Sequence, residues 1–139
     1  MYIIKNIVTN NIIKSSGKAK LFDEIEVAEV EAAELGPLFK AVPLLPIICE
    51  KIIGKLETLE PIATGSQNEI LSGRMIGYKK YQLEGYSVVH WYDCTSDWYD
   101  ILGDNAEVEY YPTTGIAHNE RNDWNEVPEV LLTEWEECI

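Results

Sequence analysis

The chain has 139 residues, 46% of them apolar and 10% aromatic. That is enough to build the core of one ordinary domain, and it is the opposite of a disordered composition. Twenty-four acids against 11 bases leave a net charge of −13, which argues against a general binder of nucleic acid or of anionic membranes, because both use positive charge.

In chain order, Tyr2 to Val8 is β-branched and apolar and reads as a first strand. Thr9-Asn10-Asn11 is a turn signal, Ile12 to Lys14 fits the second arm of a short hairpin, and Ser15-Ser16-Gly17 breaks it. Between Leu21 and Leu35 two periods compete. Leu21, Ile25, Ala28, Ala32 and Leu35 recur at three and four, as on a helix, while Ile25 and Val27 alternate with acids, as on a strand. The Ala and Glu content favours the helix, ended by Gly36-Pro37. Pro46 suits a first helical turn, and Ile48, Cys49, Ile52, Ile53 and Leu56 mark one face of an amphipathic helix running to about Leu59.

Thr64 to Asn68 reads as a polar loop, after which the character turns to sheet. Met75 to Leu83 and Tyr86 to Tyr92 are predicted strands joined by a turn at Glu84-Gly85. Thr95-Ser96-Asp97 resembles a helix start and predicts one or two helical turns over Trp98 to Leu102. Ala106 to Tyr111 reads as a strand ended by Pro112, Thr113 to Asn125 as a polar loop, and Val130 to Trp135 as a final strand or helix. No repeat, linker or βαβ rhythm appears. The expected fold is α+β, a single compact domain over 1–139 with a mainly antiparallel sheet and one or two amphipathic helices.

The chain has no stretch near the roughly 20 apolar residues of a membrane span, and its start lacks the basic and apolar segments of a secretory signal. Cytoplasmic location is the expectation, in a host cell if the protein is viral. Cys49, Cys94 and Cys138 are too far apart for a CxxC, so neither a zinc knuckle nor a redox pair is indicated.

Charge is the unusual feature. Residues 1–91 hold 11 acids and 10 bases, whereas 92–139 hold 13 acids and only Arg121. An acidic run from Asp23 to Glu34 is flanked by lysines; the last third of the chain has no such compensation.

Several constellations can be weighed against this background. His90 and Cys94 on one strand would stand roughly 13 Å apart, too far for a nucleophile–base pair, so a structural strand end is expected. His118 with Glu120 and Asp123 offers too few histidines for a zinc site, and a solvated loop is expected instead. Asp93, Asp97, Asp100 and Asp104 recur at four, three and four and would line one face of a helix, as a solvated face, a weak calcium site or part of a docking surface. Arg74, Lys79 and Lys80 beside Tyr78 and Tyr81 form too small a basic patch to indicate direct nucleic-acid binding. No glycine pattern cradles a phosphate. No metal or cofactor is expected.

The aromatics Trp91, Trp98, Tyr99, Tyr110, Tyr111, Trp124 and Trp135 lie among the acids. Rings anchor interfaces, and a dense negative field speeds capture of a positive partner. The expected function is that of a non-enzymatic interaction protein whose acidic C-terminal third, 92–139, docks on a basic surface of a partner protein. Its sharpest form is an inhibitor that mimics nucleic acid toward a nucleic-acid-handling enzyme, as small phage and mobile-element proteins do, an analogy of size and charge only. The expected contacts are Asp97, Asp100, Asp104, Glu107, Glu109, Glu120, Asp123 and Glu126. The alternatives are a structural subunit of a virion or other assembly, with self-association, and a small enzyme using His118 or His90.

Overall fold

A computed structural model describes residues 1–68, 73–104, 106–120 and 126–132. Strand β1 (Tyr2–Asn6) pairs antiparallel with β4 (Phe39–Pro43) as a two-stranded ribbon. Between them lie the small hairpin of β2 (Lys14–Ser15) and β3 (Lys18–Ala19) and helix α1 (Ile25–Leu35). Helix α2 (Leu44–Leu56) follows β4 directly. Six strands complete the described fold: β5 (Ala63–Asn68), β6 (Met75–Gln82), β7 (Tyr86–Tyr92), β8 (Asp97–Gly103), β9 (Ala106–Tyr111) and β10 (Ile116–Asn119). They form one antiparallel meander in the order β10-β9-β8-β7-β6-β5. The expected α+β class, with a mainly antiparallel sheet, is the fold observed.

Alternation within β1 divides the interior in two. Ile3 and Ile4 are both 0% exposed but point to opposite sides of the ribbon. Ile4 joins Phe22, Ala28 and Ala32 in a small core under α1. Ile3 joins the main core, where Leu44, Leu45, Ile48, Cys49, Ile52 and Leu56 of α2 meet Tyr81, Tyr86, Val88, Tyr99, Ile101, Val108, Tyr110 and Ala117 of the sheet. Each fully buried Leu or Ile there contributes about 1.5–3 kcal/mol. Val127 and Leu131 also pack into this core, and the buried Asn119 carboxamide donates to the Glu126 carbonyl at 3.0 Å, tying the returning chain to β10.

Turn chemistry sets the meander. Gly85 takes φ +86°, and a Cβ there would stand 2.9 Å from Val130, so any side chain at this position of the β6–β7 turn would be strained. At the next turn Asp93 Oδ1 accepts the Thr95 and Ser96 N–H groups at 2.7 and 2.8 Å, and the Asp93 N–H donates to the Ser96 carbonyl at 3.0 Å. That closes a hairpin.

Four expectations are corrected by this architecture. Trp98 to Leu102 lies in strand β8 and not in a helix, because the Asp93 carboxylate caps a hairpin turn and the following side chains alternate between core and solvent. Thr64 to Asn68 belongs to strand β5, whose six residues are all exposed and therefore carry no apolar alternation. Within Thr113 to Asn125, Ile116–Asn119 is strand β10. Helix α2 stops at Leu56, not Leu59: Thr58 and Leu59 donate instead to the carbonyls of Lys55 and Leu56, three residues back. Strand β4 had no forecast from the sequence. The final element is helical over 129–132; 133–135 lie outside the described residues.

Candidate functional site

One face of the six-stranded sheet is the core face just described. The other presents Tyr78, Lys80, Gln82, Ser87, Val89, Trp91, Trp98, Asp100, Leu102, Glu107, Glu109, Tyr111, Ile116 and His118, none of them buried, and by the same alternation Ile76, which is buried near the start of β6. Two cross-strand rows organise it. Gly65, Tyr78, Trp91 and Trp98 form one row; Ala63, Lys80, Val89, Asp100, Glu109 and His118 form the next. The rings lie side by side, Tyr78 and Trp91 with centroids 5.6 Å apart and Trp91 and Trp98 6.4 Å apart at 17°. Gly65 makes room for the row: a Cβ there would fall 2.7 Å from the Tyr78 hydroxyl.

The acids of the second row are held by the rings. Trp91 Nε1 donates to Asp100 Oδ2 at 2.8 Å, and the Tyr111 hydroxyl donates to Glu109 Oε2 at 2.8 Å. Asp100 and Glu109 are directly opposed on neighbouring strands, an arrangement of like charges that destabilises a sheet. Burial pushes the Asp100 carboxyl up, and Glu109, Glu107 and Glu120 push it further, against the Trp91 hydrogen bond. Tyr111 is raised to about 12 by its bond to Glu109 first, then by burial and the charges of Glu109, Asp100 and Glu120. Glu107 shares this side of β9 with Glu109, and the Glu120 N–H donates to the Glu107 carbonyl at 2.7 Å, so these three and Asp100 form one acidic cluster.

Of the eight expected contacts, those four are brought together. Asp104 follows the end of β8, and Glu126 is an exposed residue of the returning chain whose carbonyl accepts from Asn119. Asp123 lies outside the described residues, as do Trp124, Trp135 and Cys138. Asp97 is not part of the cluster. Strand alternation places it on the opposite face from Asp100, where its Oδ2 is hydrogen-bonded to His90 Nε2 at 3.0 Å. The helical aspartate face is likewise corrected, because Asp93 belongs to a turn and Asp97 and Asp100 to opposite sides of a strand. Sequence reasoning left Tyr78, Lys80, Gln82, Ser87, Val89, Leu102 and Ile116 out of the docking surface; only the strand register places them on this face.

The two histidines belong to different surroundings. His90 stacks on Tyr99 with centroids 4.2 Å apart and planes at 5°, at the margin of the core face. Tyr99 is raised to about 12, by burial and then by the Asp97 charge, and keeps its proton at neutral pH. Cys94 is exposed in the β7–β8 turn. His118 stands opposite Glu109 and also lines a cleft of about 420 Å³ beside Lys5, Pro46, Glu50 and Tyr110, between the ribbon, α2 and the β9–β10 edge. Strands β8 and β9 separate the strands of His90 and His118. Among the described residues no group of three or more His, Cys, Asp or Glu could hold a metal ion. Among the same residues no helix is long and apolar enough to cross a membrane.

No family model, curated protein or solved structure matches this chain.

Proposed function

We propose that this chain is a non-enzymatic interaction protein whose open sheet face docks on a basic surface of a partner protein. The observation that supports this most is the direct opposition of Asp100 and Glu109, both only half-buried, on the side of the sheet away from α2. Opposed carboxylates cost stability in the free protein, and a cationic partner removes that cost on binding. The neighbouring rings supply apolar anchors of the kind interfaces favour. Mimicry of nucleic acid is the narrower form of this reading, with Asp100, Glu107, Glu109 and Glu120 in the place of phosphates.

Two variants of equal net charge provide the test. One neutralises the face as Asp100→Asn with Glu107→Gln, Glu109→Gln and Glu120→Gln. The other changes Glu24, Glu26, Glu29 and Glu34, exposed acids at and along α1, to Gln. Calorimetric titration with an arginine- and lysine-containing basic octapeptide should show at least about a tenfold loss for the face variant and little change for the α1 variant. Equal losses would reduce the effect to net charge and contradict the reading.

A second reading, a structural subunit of an assembly, draws support from β5. This edge strand has six exposed residues with no charge and no proline, so it lacks the usual guards against pairing with another chain. Sedimentation at rising concentration tests it: reversible growth beyond the monomer supports the subunit reading, and a monomer throughout speaks against it.

A further inference from the structure

We propose that the open face is a guanidinium-reading surface: arginine side chains of the partner stack on Trp98 and Tyr111 while their N–H groups bond Asp100 and Glu109. The inference rests on the docking reading above and deepens it by naming the cation.

Two residue pairs share one spacing. Strand β8 carries Trp98 and Asp100, and strand β9 carries Glu109 and Tyr111. Each pair is two residues apart, so a ring and a carboxylate point to the same side about 7 Å apart along the strand. The strands are neighbours, with Asp100 opposite Glu109, so the two pairs lie side by side and the Cβ atoms of the two acids stand roughly 5 Å apart. A flat cation that covers a ring while presenting N–H groups at its rim fits such a pairing. Guanidinium is flat, weakly hydrated and fork-shaped, with five N–H donors; ammonium is a compact, strongly hydrated point charge that gains little from a ring's flank.

The hydrogen bonds within the face favour the same occupant. Trp91 and Tyr111 each donate to one oxygen of a carboxylate, Oδ2 of Asp100 and Oε2 of Glu109. Those bonds fix the two carboxylates before any partner arrives. The second oxygens, Oδ1 and Oε1, accept no hydrogen bond among the described residues, so the fixed pair offers two acceptors on neighbouring strands. Trp98 is half-buried and Tyr111 is 36% exposed, which leaves ring surface for a stacked partner. The Asp100 carboxyl is already pushed up by burial and by three glutamates, so a cation that shares both carboxylates relieves an existing repulsion.

Calorimetric titration of the full chain with octa-arginine and with octa-lysine, at low and at physiological salt, tests this. The two peptides carry the same charge and differ in the cation alone. Octa-arginine should bind about tenfold more tightly than octa-lysine, with both affinities falling as salt rises. Tyr111→Leu and Trp98→Leu, each checked for native circular dichroism, should bring the ratio close to one while salt-dependent binding of both peptides persists. Tyr111 is exposed, so its variant keeps the test available if Trp98→Leu does not fold. Equal affinities for the wild-type chain would overturn the guanidinium inference and leave the docking reading standing. Absence of salt-dependent binding by either peptide would overturn both. An arginine preference untouched by both ring variants would overturn the assignment to this face.

Discussion

The two faces of the six-stranded sheet are built from alternate residues of the same strands, yet they follow opposite rules. On the core face, Val88, Ile101 and Val108 meet in register and are 0–1% exposed under α2. One residue along, the open face places Val89, Asp100 and Glu109 in the next row, half-exposed and with two like charges opposed. The first face is ordered by burial and the second by ring-to-carboxylate hydrogen bonds. Folding alone explains the first. The opposed acids of the second cost stability, a cost that the proposed docking on a cationic partner would offset.

Thiol chemistry should give the largest contrast. Burial pushes the Cys49 thiol up to about 12, which leaves about a thousandfold less thiolate than an ordinary cysteine has, whereas Cys94 is exposed. Maleimide should modify Cys94 readily and reach Cys49 only when the protein unfolds, as mass spectrometry of the labelled peptides would reveal. Rapid native labelling of Cys49 would break the comparison by showing the core face uncovered.

Neighbours in β8 sharpen it. Ile101→Ala should cost about 2–5 kcal/mol in chemical denaturation, and Leu102→Ala, 39% exposed on the open face, should stay within about 0.5 kcal/mol. Similar costs for the two would mean the faces are not distinct.

A pH series separates the turn from the face. Backbone N–H groups of Thr95 and Ser96, then the Thr95 hydroxyl and the Arg74 guanidinium, hold Asp93 down at about 2. A depressed carboxyl stabilises the fold above its unfolded value and loses that contribution as pH falls through the folded one. The stability gap between wild type and Asp93→Asn should therefore be full above about pH 4 and close toward about pH 2. Asp100 has the opposite sign, because its folded carboxyl is raised. Ionising it costs stability, so Asp100→Asn should be the more stable protein once pH exceeds the folded value, by about 0.5 kcal/mol, with no gain in acid. The same variant should bind a basic peptide more weakly. A change that strengthens the fold and weakens binding is the signature expected of a face shaped by its partner.

Much of this fold was legible in the sequence, and the open face only in part. Strands β1, β6, β7 and β9 and both helices carry apolar periodicity, because each buries one side against a core. Strand β5 buries nothing, and β10 buries only Ala117 and Asn119, so neither leaves a pattern to read. Strand β8 was hidden by Thr95-Ser96-Asp97, which has the chemistry of a helix start, whereas Thr95 and Ser96 close a hairpin turn onto Asp93. That error also mis-sorted the acids. Asp97 and Asp100 are neighbours at helical spacing but opposite in a strand, so Asp97 goes to His90 while Asp100 joins Glu109. Composition locates the excess charge in the last third of the chain; strand register decides which carboxylates share a face.

Docking of a cationic partner on the open face is a proposal that chemical shifts can localise. The most direct measurement is a two-dimensional amide NMR titration of the isotope-labelled chain with octa-arginine. If the open face holds the cation, the first and largest perturbations fall on Trp98, Asp100, Glu107, Glu109 and Tyr111 and on the Trp91 and Trp98 indole N–H signals, with α1 and α2 unmoved. Perturbations centred on the acids of α1, or spread evenly over every acidic segment, would contradict it.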